Sequence, residues 1–102
     1  MVRRAASVDE NQAEVVKAFR KMGCSVQPLH TVGQGCPDLL IGHHQINRLV
    51  EVKNGSKPPS ERRLTPDQQT WHHEWRGEVD IVENIDDVSR LVRKWTGWQS
   101  DS

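Results

Sequence analysis

The chain has 102 residues, a formal net charge of zero and 34% hydrophobic side chains, which is enough for one domain and not for two. Neutrality argues against a protein that coats nucleic acid, and no apolar run approaches a bilayer span or the apolar stretch of a secretory signal, so a cytoplasmic protein with no membrane partner is expected. Low hydrophobicity combined with four tryptophans predicts a compact core filled by a few bulky groups.

Val15, Val16, Phe19 and Met22 form one apolar stripe and predict a helix over residues 12–22, stopped by Gly23, with Ser7, Asp9 and Asn11 as candidate caps. Glu14 lies on the flank of that stripe and from pattern alone reads as a surface acid. Cys24 to His30 predicts a strand that Pro28 confines to a sheet edge. The cysteines Cys24 and Cys36 fit neither a redox pair nor a zinc knuckle and read as reduced thiols near the core. Thr31 to Gly35 is a turn whose glycines permit close backbone approach, not a nucleotide loop, because no helix begins at Asp38. Pro37 to Ile41 and Leu49 to Lys53 predict two strands joined by a short polar turn.

Residues 54–63 form a loop without apolar anchors, expected to be mobile until a substrate binds. Thr65-Pro66-Asp67-Gln68 then opens a helix with a cap, a first-turn proline, an acid and a capping-box glutamine. Trp71 and Trp75, one turn apart, are assigned to the core, and the helix ends near Gly77. Glu78 to Glu83 predicts a strand. Asn84, Asp86 and Asp87 start a last helix whose apolar face is Val88, Leu91, Val92 and Trp95 and whose stop is Gly97. One domain thus spans residues 1–102, with 1–8 and 97–102 as loose tails. The order of elements implies an α/β fold with a mixed sheet and helices on its faces.

The strand pair carries the chemistry. Side chains alternate along a strand, so Glu51 and Lys53 share one face while Val50 and Val52 take the other. A turn over residues 43–46 sets Gly42 against Asn47, and antiparallel counting brings Asp38 opposite Glu51, with Cβ atoms roughly 4.5–5.5 Å apart. Two such acids repel unless a cation compensates, and oxygen ligands favour Mg²⁺ or Mn²⁺, ions that activate phosphates. The histidine pairs do not chelate, because adjacent residues diverge on strand and helix alike; His43 and His44 read as turn residues and His72 as a secondary substrate contact. Four cations and one anion fall between Lys53 and Arg63, whereas five anions and no cation fall between Glu78 and Asp87. A basic loop beside a carboxylate site suits a phosphate backbone, with the acidic stretch facing away.

The run Gly35-Cys36-Pro37-Asp38, then Glu51-Val52-Lys53, then Leu64-Thr65-Pro66-Asp67-Gln68 resembles the PD-(D/E)XK nucleases and, within them, the virus-type replication and repair nuclease group, VRR-NUC. The resemblance runs from about Asn11 to Val92. It implies a restriction-endonuclease-like core, a mixed four-stranded sheet flanked by helices in the order αβββαβα. It also implies a metal-dependent endonuclease that hydrolyses DNA phosphodiester bonds, with Asp38, Glu51, Lys53 and Gln68 as catalytic residues. By resemblance, Mg²⁺ or Mn²⁺ is held by Asp38, Glu51, the main-chain carbonyl of Val52 and an acid of the first helix, which Glu14 matches better than Glu10. Lys57, Arg62 and Arg63 would hold the DNA backbone without reading bases. Stand-alone members of the group imply selectivity for branched DNA such as four-way junctions, a homodimer, and a bacterial or phage-infected cell as the setting. The alternative is a catalytically silent DNA-binding module of the same fold.

Overall fold

The computed structural model describes residues 9–100, with side chains as far as Gly97. Helix α1 (Gln12–Lys21) leads into strands β1 (Ser25–Pro28), β2 (Leu39–His43) and β3 (Ile46–Val52), then a single 3₁₀ turn (Pro59–Glu61), helix α2 (Pro66–Glu74), strand β4 (Val79–Val82) and helix α3 (Ile85–Ser100). The strands form one sheet in the order β1-β2-β3-β4, antiparallel across the first two pairs and parallel across the last. The parallel pair requires a crossover, which the segment containing α2 supplies.

The core lies on one face of the sheet. Val15 and Phe19 of α1 and Val88, Val92 and Trp95 of α3 pack over Leu39, Ile41, Val50, Val52 and Val82, with Cys24 beside them. Phe19 stacks on Trp95 at 6.2 Å between ring centroids. Each large side chain buried in this way contributes about 1.5–3 kcal/mol. Gly23, at φ +88°, ends α1 as its sequence position predicts. Met22 is the cap residue rather than part of the buried stripe, and it is exposed.

Three expectations change. His43 is the last residue of β2 on the core side, buried against Trp95 at 5.7 Å and stacked on His44 at 4.0 Å, so only His44 is a turn residue. The turn itself is two residues, His44 and Gln45, both at positive φ, and their geometry pairs His43 with Ile46. Gly97 does not end α3, which continues to Ser100; glycine permits a left-handed stop without imposing one, and no positive φ occurs there. The tail assigned to 97–102 is therefore helical as far as Ser100, while 1–8 and 101–102 lie outside the described residues.

The loop after β3 is tethered rather than free. Buried Asn54 accepts from the amide and hydroxyl of Ser56, the Gly55 amide donates to the Glu83 carbonyl, and Arg62 donates to the Lys57 carbonyl at 2.7 Å and to Glu83 at 3.1 Å. Polar contacts thus replace the apolar anchors that its sequence lacks.

Candidate active site

The register of β2 and β3 pairs Gly42 with Asn47 and Leu39 with Val50, and one further step sets Asp38 against Glu51. Both carboxylates therefore project from the face opposite the core. Asp38 accepts from the Val52 amide at 2.7 Å, which fixes the acid at the head of its strand. Glu51 is fully buried although charged groups surround it. Burial above all pushes its carboxyl up to about 9; a hydrogen bond to Asp38 and the Asp38 charge act in the same direction, whereas Lys53 opposes them.

Helix α2 covers this face with Gln68, Trp71 and His72 half-buried and none of its residues fully buried. Its first turn closes the predicted capping box: the Gln68 amide donates to Thr65 Oγ1 at 3.2 Å, and the Thr65 amide donates to Gln68 Oε1 at 2.9 Å. The same Oε1 accepts from Lys53 Nζ at 2.7 Å, and Gln68 Nε2 donates to Glu51 Oε2 at 3.1 Å. Capping and site contact, which look like competing roles in the sequence, are carried by one side chain at once. One turn later His72 Nε2 lies 3.2 Å from Glu51 Oε1, so α2 holds both oxygens of that carboxylate. Burial, aided by Lys53, lowers the His72 pKa and favours its neutral form.

Access comes from the side of the turn between β1 and β2. A groove of about 380 Å³ opens onto Asp38 and Gln68 between that turn and the start of α2. Gly35 makes the groove possible. At φ +85° its backbone runs against α2, and an added Cβ would collide with the Asp67 carbonyl and come within 3.0 Å of the Gln68 amide. The close approach expected of these glycines is thus toward the helix that carries Gln68. Cys36 borders the groove as a free thiol whose pKa is raised by burial and by the two acids.

Asp38, Glu51, Lys53 and Gln68 are therefore brought together, but other expected site residues are not. Glu14 is exposed on α1 and faces a separate depression with Glu10 and Glu83. The additional acid whose charge reaches Glu51 is Asp9, from the segment before α1, whose own pKa is raised first by burial. Among the described residues no three acidic, histidine or cysteine side chains converge as a metal cluster, so the donors present are the two carboxylates of the hairpin. Arg62 is committed to Glu83 and the Lys57 carbonyl, and is a tie within the loop rather than an unengaged cation; Arg63 is exposed and Lys57 half-buried. The Arg62–Glu83 pair also joins the basic loop to the acidic stretch, which therefore does not wholly face away.

Asn11, one of the candidate caps, stands at the N-cap position of α1 but its side chain has another role. Its amide donates to the carbonyls of Lys53 and Glu83 at 3.1 and 3.0 Å, pinning the ends of β3 and β4 to the start of α1, and it makes no side-chain cap. A buried asparagine before a helix looks like a cap in sequence; no local signal points to a partner 42 residues away.

No family model matches the chain, and no curated protein sequence does. A solved structure titled "VRR_NUC domain" does match, at 27% identity and a TM-score of 0.60, over 80% of this chain and 89% of that one. The mixed four-stranded sheet, flanked by helices and bearing an acidic hairpin, is the restriction-endonuclease-like fold of a nuclease-type domain. Within that class the chain is similar to the VRR-NUC domain, in keeping with the order of its motifs.

Proposed function

We propose that this protein is a Mg²⁺- or Mn²⁺-dependent endonuclease that hydrolyses DNA phosphodiester bonds. The observation that carries this reading is the convergence of Asp38, Glu51, Lys53 and Gln68 behind an open groove. A fully buried glutamate pushed up to about 9 beside a second carboxylate is the environment a divalent cation relieves, and an all-oxygen donor pair suits a hard ion. Asp38 and Glu51 would hold the ion, with the Val52 carbonyl as the third donor implied by the family. When bound, it supplies Lewis acidity toward the phosphate and lowers the pKa of a coordinated water.

The remaining work falls to side chains of this chain. Lys53 places its ammonium at the phosphate and stabilises the charge that develops there. Gln68 holds that ammonium through Oε1 and orients the nucleophilic water, and His72 steadies Glu51 from its other oxygen. Exposed Arg63 and half-buried Lys57 contact the backbone, so sequence preference is weak. Branched DNA is the preferred substrate and the active unit is a homodimer, because paired cuts need two sites and each chain carries one.

The test compares cleavage of junction, flap, duplex and single-stranded DNA with Mg²⁺ or Mn²⁺. Lys53→Ala is expected to lower turnover by roughly 10²–10³-fold while binding persists, and chelation of the metal to abolish turnover. DNA binding without turnover by the unaltered protein would instead favour the silent module. Equal rates on all substrates would remove the branched-DNA preference alone.

A further inference from the structure

Trp71 and Trp75, expected in the core, lie outside it. They stack on each other at 4.6 Å with planes 19° apart, on a helix with no fully buried residue, and Trp75 is 47% exposed. Neither belongs to the hydrophobic core cluster: Trp71 is half-buried beneath Trp75, whose ring is the open one.

Their position ties them to the site. Residues 68, 71, 72 and 75 follow the spacing of one helical face, so the tryptophans continue the stripe on which Gln68 and His72 hold Glu51. Trp71 meets the His72 ring edge-on at 6.1 Å, which makes a continuous run of contacts from the Glu51 carboxylate through His72 and Trp71 to Trp75. Seven steps along α2 take the chain from Gln68 to its C-cap Trp75, a rise of roughly 10 Å, or about three base steps of axial rise along one stacked strand. Gly77 leaves room for the indole, since a Cβ there would come within 2.8 Å of Trp75 Nε1.

We propose that the Trp71–Trp75 pair is a stacking platform for an unpaired nucleobase of the strand whose phosphate lies at Asp38 and Glu51. This rests on the nuclease reading and narrows its substrate to DNA with unpaired bases near the cut. A flat ligand fits the surroundings: His73, Glu74, Arg76 and Gly77 are all exposed, so the ring stands in a polar surface. A second protein copy fits less well, because the open part of one tryptophan offers on the order of 100 Å², far below the roughly 800 Å² per partner of a stable interface. A base needs one ring face, and every base has a π-face to offer.

The experiment measures binding, with Ca²⁺ in place of Mg²⁺, of a thymidine oligonucleotide, an abasic strand of equal length and a blunt duplex, with cleavage in Mn²⁺ followed in parallel. Trp75→Ala is expected to weaken the thymidine strand roughly tenfold, to leave the abasic strand and the duplex unchanged, and to erase the preference for bases; Trp75→Phe retains part of it. Equal affinity of the unaltered protein for thymidine and abasic strands overturns the platform, and continued duplex cleavage in that case leaves the nuclease reading standing. Self-association that Trp75→Ala abolishes, without base-dependent binding, overturns it in favour of a second copy. If the unaltered protein neither binds nor cuts any nucleic acid, both readings fall.

Discussion

Gln68 Oε1 accepts from the Thr65 amide and from Lys53 Nζ, so the residue that starts α2 also sets the orientation of the groups on the sheet below it. Thr65→Ala removes the hydroxyl that holds the Gln68 amide and is expected to cost about 1 kcal/mol of stability. Turnover falls as well because the first turn that carries Gln68 loses one of its two capping bonds, and Thr65→Ser restores both; thermal melting and initial rates check the two effects separately. Glu51 gives a pH-dependent counterpart. Its folded-state value, about 9, lies above the ordinary 4.5, so the stability it contributes is complete below about 4.5 and is lost as pH rises through about 9. Without divalent metal, Glu51→Gln should therefore gain in melting temperature relative to the parent as pH rises across that window. Added Mn²⁺ should stabilise the parent more than the variant. A difference between the two proteins that stays flat with pH would contradict the assignment.

At the scale of elements, α2 is the part of the site with the least support. It has no fully buried residue and is held by the Gln68 and His72 contacts to Glu51, by the capping box and by the close passage of Gly35. Gly35→Ala combines a left-handed backbone, costing about 1–2 kcal/mol with a side chain, with a collision at the Asp67 carbonyl. The expected result is faster amide exchange in α2 and lower turnover, while exchange in β2 and β3 is unchanged. The loop of residues 54–63 behaves differently, because Arg62 and Asn54 tie it to its own carbonyls and to Glu83. Arg62→Ala should raise proteolytic cleavage within the loop by several-fold, whereas Arg63→Ala should reduce only DNA affinity.

For the whole molecule, the sheet separates two kinds of packing. One face carries the apolar core between α1 and α3; the other carries the acids under α2. Phe19→Ala, at a fully buried position stacked on Trp95, should cost about 3–5 kcal/mol in denaturant unfolding, a large share of the stability of a domain this size. Because the same strands carry the site on their opposite face, activity is expected to disappear at the same denaturant concentration as the core. Inactivation well before global unfolding would show that α2 detaches on its own.

Alternation and turn chemistry are local and periodic, and by themselves they determined the order of elements, the pairing of Gly42 with Asn47 and the meeting of Asp38 with Glu51. The capping box at Thr65 was equally plain, being confined to four consecutive residues. What a side chain touches across the fold carries no such period. Only the tertiary structure decided that Asn11 would reach β3 and β4 instead of capping α1, that Asp9 rather than Glu14 would be felt at the acids, and that His43 would join the core. The same holds for the tryptophans. Their one-turn spacing is compatible with burial or with an exposed stripe, and α2 settles over the acidic face because Gln68 and His72 find Glu51 there, which leaves the indoles outside the core.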